Sequence, residues 1–328
     1  MPDAADFAVA SSTDPNSRNI PSQDVHQALK AASAPAGPGS ISPPASLTPD
    51  QLARYERLRT LVSELGSVLI AYSGGVDSSL LLKVAVATLG VRAVGALATS
   101  PAYDDDETTS AIRLAETMGA RLEIVATHEM DDPRYNANPA NRCYFCKEEL
   151  FKQLAPIAAR LNLAHIAYGM NADDRGDWRP GQRAAREHGV RAPLDDAGLT
   201  KADIRAIARH LDLPVWDKPA MACYSSRIPY GTPVTGETLG RISRAERALR
   251  RLGFARVRVR HHDQVARIEL DPDDFARLVD PDVRAEVIAG VRAAGYTYVT
   301  VDLTGYRTGS LNEALARSRR TPTAPDHA

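Results

Sequence analysis

Two adjacent glycines set among serines, in Ser73-Gly74-Gly75-Val76-Asp77-Ser78-Ser79, constrain this chain more than any other stretch. An apolar segment precedes them, Val68-Leu69-Ile70-Ala71-Tyr72, and a helical pattern runs from Leu80 to Leu89 and stops at Gly90. The order is buried strand, Gly-Ser loop, helix. Paired glycines let the backbone turn sharply and bring its amides close to a ligand. Those amides lie at the positive end of the following helix, where backbone donors and the helix dipole favour an anion. Ser73, Ser78 and Ser79 add hydroxyl donors, and the Asp77 carboxylate suits a Mg2+ ion held beside phosphate oxygens. A Walker A loop is excluded, because it ends in Gly-Lys-Ser/Thr and the chain has no Gly-Lys pair. A plain strand–helix turn with a serine cap is the bland alternative, but it needs one glycine and one cap, not this whole set.

The form S-G-G-x-D-S-S resembles the PP-loop of ATP pyrophosphatases. That resemblance implies an adenine nucleotide alpha hydrolase-like fold and an enzyme that adenylates its substrate with ATP and releases pyrophosphate.

Residues 1–46 are rich in Ala, Ser, Pro, Asp and Gly, with almost no large apolar side chains, and are predicted to be disordered. A capped helix then starts at Thr48-Pro49-Asp50. Strands are predicted at 68–72, 91–99, 121–126 and 165–169, alternating with helices that end at Leu89, cover 104–118 and cover 144–161. This is the pattern of an α/β fold with a doubly wound, mostly parallel sheet. Ligands bind such sheets beyond the carboxyl ends of the strands. Ser73, Thr99-Ser100 and the Asn171-Ala172-Asp173-Asp174 turn lie at such ends and are expected to converge. Asp177-Trp178-Arg179-Pro180-Gly181 reads as a loop, 201–211 as a helix capped by Thr200, and 218–231 as a proline-bounded loop. Beyond Thr235 the order becomes α-β-β-α-β, a smaller α+β unit. The expected division is 47–232 for the ATP domain, 233–316 for a C-terminal substrate-binding and oligomerisation domain, and 317–328 for a disordered tail.

The 328 residues are 44% hydrophobic and 25% charged, as in ordinary globular proteins. A formal net charge of −1 gives no pull toward nucleic acid or membrane. No apolar run is long enough to span a bilayer, and the N-terminus has neither the basic nor the apolar region of a secretory signal, so a cytoplasmic protein is expected. Three cysteines, an odd number, argue against a disulfide framework.

Those cysteines carry the second chemical signal. Cys143-Tyr144-Phe145-Cys146 is a C-x-x-C, which alone fits zinc, redox exchange or a cluster. With Cys223, three thiolates suit a 4Fe–4S cluster with one open iron, whereas zinc would need a fourth ligand. Three unconnected thiols are the bland alternative. The ATP loop tips the balance, because adenylation turns a carboxylate into a group that a sulfur nucleophile can attack. Arg256, Arg258 and Arg260 alternate with Val257 and Val259, so a strand would put the arginines on one face as a phosphate or acidic-partner site. Arg227 lies in the Cys223 loop. Arg241, Arg244, Arg247, Arg250 and Arg251 on the preceding helix read as a solvated face. RNA binding by the same basic patch is disfavoured by the neutral overall charge and by 5% aromatic content.

The Ser73–Ser79 loop, the Asn171–Asp174 turn, the Asp177–Gly181 segment and Ala222-Cys223-Tyr224-Ser225-Ser226-Arg227-Ile228-Pro229-Tyr230-Gly231 together resemble the LarE family of ATP-dependent sulfur transferases, over residues 52–315. The resemblance implies work on the nickel-pincer nucleotide cofactor of lactate racemase. It implies a substrate, pyridinium-3,5-biscarboxylic acid mononucleotide, whose carboxylates are adenylated and become thiocarboxylates. One branch of the family sacrifices the cysteine matching Cys223, leaving dehydroalanine. A second holds a 4Fe–4S cluster on three cysteines, as Cys143, Cys146 and Cys223 would here. The resemblance further implies that Arg258 and Arg260, with Glu246, line the substrate phosphate site and that the chain forms homo-oligomers; Arg227 is a further candidate for binding substrate, and a sulfur-donor protein is a candidate partner, the sequence itself not naming the sulfur source. A tRNA thiolase of the PP-loop class is the alternative enzyme.

Overall fold

The computed structural model describes residues 46–176, 180–220, 222–307 and Leu311. Of the segments expected to be disordered, 1–46 and 317–328, all but Ser46 lie outside the described residues, as do Asp177-Trp178-Arg179 and Met221.

Thr48 opens the first helix, α1 (Pro49–Glu64), with a capping box: its hydroxyl accepts the Gln51 amide and the Gln51 side chain accepts the Thr48 amide. Strand β1 (Val68–Tyr72) follows, then α2 (Val76–Leu89), β2 (Ala93–Thr99), α3 (Asp105–Thr117), β3 (Arg121–Ala126), α4 (Arg142–Arg160), β4 (His165–Tyr168), α5 (Pro180–Glu187) and α6 (Lys201–His210). The four strands form one parallel sheet in the order β3-β2-β1-β4. β1 lies inside the sheet, with Ile70 opposite both Gly95 and Ala167. That position explains its unbroken apolar sequence, since a parallel strand covered on both faces has no polar side.

Alternate residues of β1 serve the two faces. Val68, Ile70 and Tyr72 pack with Leu58, Leu80, Leu81, Leu114, Ile204 and Ile207, so α1, α2, α3 and α6 cover one side. Leu69 packs with Leu150, Phe151, Leu154 and Ala184, so α4 and α5 cover the other. The sheet is doubly wound, as the alternation of elements predicts.

The second sheet has its own core. α7 (Gly236–Arg251) leads to β5 (Val257–His262), β6 (Val265–Leu270), α8 (Pro281–Ala293) and β7 (Tyr298–Val301). β5 and β6 form an antiparallel hairpin, and β7 joins β6 in parallel. Leu249, Phe254, Val259, Ile268, Leu270 and Val291 are completely buried between this sheet and its helices.

Several boundaries differ from expectation. Gly90–Arg92 form a 3-10 turn, so β2 starts at Ala93 and Val91 is exposed. α4 starts at Arg142, which puts Cys143 inside the first helical turn instead of in the loop before it. Pro180 and Gly181 open a helix, because proline is tolerated in a first turn. The Cys223 loop contains a 3-10 turn, Tyr224–Arg227. β5 starts at Val257, so Arg256 precedes the strand. Both faces of β5 are buried, so its arginines do not form an open cationic face.

Candidate functional site

The Gly74-Gly75 loop is built mainly from backbone. Gly74 has φ +70°, a left-handed conformation open to glycine, and a Cβ there would lie 2.6 Å from the Ala111 Cβ of α3. Gly75 caps α2 without any side chain closing its first amides. Those donors sit at the positive end of a 14-residue helix, the arrangement that attracts an anion. Ser78 Oγ holds the loop from within: it accepts the Ser73 amide at 3.2 Å, donates to Gly75 O at 3.1 Å, and lies 3.1 Å from Ser73 Oγ. Ser73 is exposed, whereas Ser79 is completely buried. Gly169, just past β4, presses on this helix start, since a Cβ there would lie 2.9 Å from Ser78 N.

Charge surrounds the loop in a way the sequence did not announce. The Asp77 carboxylate pairs with the Lys201 ammonium and accepts the Asn171 side-chain amide at 3.4 Å. Lys218 Nζ donates to Gly74 O at 3.3 Å and to Glu107 Oε2 at 2.5 Å. Arg205 fixes that segment by donating to the carbonyls of Trp216 and Lys218, each at 2.9 Å. Neither lysine stands in a recognisable motif. Lys201 lies 124 residues from Asp77, and Lys218 lies 144 from Gly74. The proximity of Lys201 to its capping residue Thr200 is the one local hint.

The other expected strand-end residues divide. Asn171 reaches Asp77 and so joins the loop. Asp173 instead accepts the Lys201 amide at 2.8 Å, at the head of α6. Asp174 accepts the Asn171 amide at 3.2 Å and closes its own turn. Thr99 ends β2, where its carbonyl accepts the Thr127 amide at 3.0 Å.

The three cysteines lie on two segments that Arg142 ties together. Cys143 stands in the first turn of α4 and Cys146 at the start of the second, and Cys223 immediately precedes the 3-10 turn. Cys143 is exposed and the other two are half-buried. Although the residue as a whole is exposed, protein packed around the Cys143 thiol pushes it up, and negative charge at Cys223 adds to this while Arg142 and Lys147 oppose it. Burial pushes Cys146 up to about 12, against the pull of Lys147 and with help from Glu129, Cys223 and Cys143. Cys146 and Cys223 pack with Ala102, Tyr135, Tyr224 and Ile228. Arg142, itself buried, donates to Ser225 O at 2.9 Å and so ties the head of α4 to the Cys223 turn. Among the described residues, no three His, Cys, Asp or Glu side chains are gathered as a metal-binding group.

The arginines are mostly committed. Arg227 forks onto Glu246 at 2.8 and 3.0 Å, and its third nitrogen donates to the carbonyls of Ala222 and Cys223 at 2.6 and 3.1 Å. Glu246 is completely buried and also accepts the Val259 amide at 3.0 Å and Arg250 at 2.9 Å. Arg260 forks onto Glu269 at 2.9 and 2.8 Å and reaches Ser226 O at 2.7 Å. Arg258 donates to a phenol, Tyr306 Oη, at 2.9 Å, with its guanidinium 4.7 Å from the centre of that ring. Burial, with Arg227 and Arg260 nearby, holds the Arg258 pKa below its usual value. Arg256 is exposed and lies 3.6 Å from Asp271. Of the helix arginines, Arg250 departs from the expected solvated face, because it pairs with both Asp104 and Glu246.

No protein-family model matches the chain. Individual relatives do. An uncharacterized protein of Synechocystis sp. is 46% identical over 265 residues, which are 81% of this chain and 99% of that protein. The pyridinium-3,5-bisthiocarboxylic acid mononucleotide synthase of Lactiplantibacillus plantarum is 38% identical over 262 residues, 79% of this chain and 93% of that enzyme. An uncharacterized protein of Methanocaldococcus jannaschii is 28% identical over 243 residues, 73% of this chain and 90% of that protein.

Proposed function

The chain belongs to the LarE-like family, that of the pyridinium-3,5-bisthiocarboxylic acid mononucleotide synthase, and on that premise we propose that it is an ATP-dependent sulfur transferase. It converts the carboxylates of pyridinium-3,5-biscarboxylic acid mononucleotide to thiocarboxylates. The observation that carries this reading is one chain holding both an anion-ready helix start behind Gly74-Gly75 and three thiols, two on α4 and one beside the turn that Arg142 ties to it.

In the first step a substrate carboxylate oxygen attacks the α-phosphorus of ATP. The bond to pyrophosphate breaks and an acyl-adenylate forms. The loop amides and Ser73 hold the phosphates. Asp77, already paired with a cation, would hold Mg2+ beside the phosphate oxygens, since Mg2+ needs only one or two carboxylates in such sites. In the second step sulfur attacks the acyl carbon, the bond to AMP breaks, and a carbon–sulfur bond replaces it. Arg258, whose partner is a phenol and not a carboxylate, receives the substrate phosphate. Arg227, Arg260 and Glu246 frame that site.

Cys143, Cys146 and Cys223 would hold a 4Fe–4S cluster, which supplies a sulfide at its open iron when bound. The donor chemistry fits, with three soft thiols beside the cations Arg142 and Lys147. Because no three ligands are gathered among the described residues, the second source of sulfur is Cys223 itself. Its thiolate would displace AMP to give a thioester. Loss of the α-proton would then break the Cβ–S bond, releasing the thiocarboxylate and leaving dehydroalanine.

The test is pyrophosphate release with ATP and either the pyridinium mononucleotide or tRNA. Release driven by the mononucleotide supports the reading, and release driven by tRNA alone overturns it. Asp77→Asn abolishes the release.

A further inference from the structure

We infer that Asp104, at the head of α3, is a positioning residue that holds the Cys223 turn in register with the nucleotide loop. The inference rests on the function proposed above.

Asp104 divides its two oxygens. Oδ1 caps α3, accepting the Asp106 amide at 2.9 Å and the Glu107 amide at 3.4 Å. Oδ2 accepts from the Tyr224 hydroxyl and from Arg250. Tyr224 is the residue after Cys223, and its amide donates to Ala102 O at 2.8 Å, two residues before Asp104. Arg250 runs on to Glu246, Glu246 to Arg227, and Arg227 to the carbonyls of Ala222 and Cys223. The backbone on both sides of Cys223 is therefore tied to one carboxylate through two separate routes. Three of the links are buried, Asp104 at 7% exposed, Arg227 at 3% and Glu246 at 0%, and Arg250 is half-buried between them. In such surroundings charge-assisted hydrogen bonds are strong and rigid.

The same helix also grips the nucleotide loop. Glu107, in its first turn, takes Lys218, which reaches Gly74 O. Ala111, one turn further on, is the side chain against which Gly74 packs. So α3 touches the activating loop with Glu107 and Ala111, and the sulfur-bearing turn with Asp104. No ligand contact is needed for this role.

The consequence is kinetic. An acyl-adenylate has two fates, attack by sulfur or attack by water. A displacement of about 1 Å costs an aligned attack roughly a hundredfold. Loosening the Cys223 turn lets water win, so AMP continues to form while thiocarboxylate does not.

The experiment counts thiocarboxylate per AMP in the full chain, its Asp104→Asn variant and its Tyr224→Phe variant. Pyrophosphate release reports adenylation separately. A second readout, independent of turnover, is the iodoacetamide labelling rate of the Cys223 peptide. Asp104→Asn keeps an N-cap side chain but loses the charge. It is expected to lower thiocarboxylate per AMP by about tenfold or more, leave pyrophosphate release within about twofold, and speed Cys223 labelling. Tyr224→Phe removes one hydrogen bond to a charged group and lowers the ratio by about threefold. An unchanged ratio and an unchanged labelling rate in both variants overturn the inference. If Asp104→Asn does not fold, Tyr224→Phe decides alone. A wild-type chain that releases no pyrophosphate removes the proposed function, and Cys223 labelling then decides the positioning role.

Discussion

At the Gly74-Gly75 loop the chain holds its shape with backbone and one serine hydroxyl, and at the Cys223 turn it holds its shape with charged side chains. Gly74, Gly75 and the head of α2 are consecutive, and Ser78 closes the loop on itself. The Cys223 turn is held by Arg142 from α4, by Asp104 from the head of α3, and by Glu246 and Arg250 from α7. The first device presents unfilled donors to a ligand. The second spends its guanidiniums on carboxylates and backbone carbonyls and so fixes the backbone that carries Cys223. Rigid holding suits a thiol that must meet an acyl carbon at one angle, whereas open amides suit a triphosphate that supplies its own acceptors.

The contrast makes the side-chain region the costlier one to damage. Glu246→Ala strands Arg227 without its buried partner, so unfolding free energy should fall by about 3–5 kcal/mol, read as a lower urea midpoint. Gly74→Val forces a β-branched residue into φ +70° and against Ala111. It should abolish pyrophosphate release while costing only about 1–3 kcal/mol of stability, so the two assays separate. Thr200→Ala removes the capping box at α6, where Thr200 and Asp203 cap each other. It should cost about 1 kcal/mol and, by loosening Lys201, weaken ATP binding modestly. If Thr200→Ala costs more than Glu246→Ala, the contrast between the regions fails.

The smallest expected effect is a pH dependence. Burial alone would raise the Asp104 carboxyl, but hydrogen bonds from Tyr224 and Arg250 outweigh it and hold it below the usual carboxylate range. Asp203 is likewise buried, and Thr200 and Arg54 bring it down. Each favours the folded state above the ordinary carboxylate pKa of about 3.9, and that contribution is lost as pH falls through the lower folded value. The urea midpoint should therefore drop on acidification below about pH 4, and less so in Asp104→Asn.

What the sequence revealed follows the same divide. The Ser73–Ser79 loop and β1 were legible because they are contiguous and their pattern is local. The parallel doubly wound sheet was legible from alternation. Thr48 and Thr200 announced their helices. The bonding of Arg227 to Glu246, and of Arg260 to Glu269, was not legible as ion pairing. An Arg-Val-Arg alternation reads as one wet face, and only the packing of the Cys223 turn against β5 shows that both faces are covered. Lys201 and Lys218 were missed because nothing in their neighbours marks a partner more than a hundred residues away. Pro180 and Gly181 were misread because both residues also punctuate loops.

The most direct test of the account is mass spectrometry of the pyridinium mononucleotide after incubation with the anaerobically prepared chain, ATP, Mg2+ and sulfide, together with the Cys223 peptide. Carboxylate oxygen is expected to be replaced by sulfur, with AMP and pyrophosphate formed alongside. An intact Cys223 then marks sulfide as the source, and a Cys223 lacking one sulfur and two hydrogens marks the residue itself. A mononucleotide that leaves unchanged while the protein is folded and ATP is bound would contradict it.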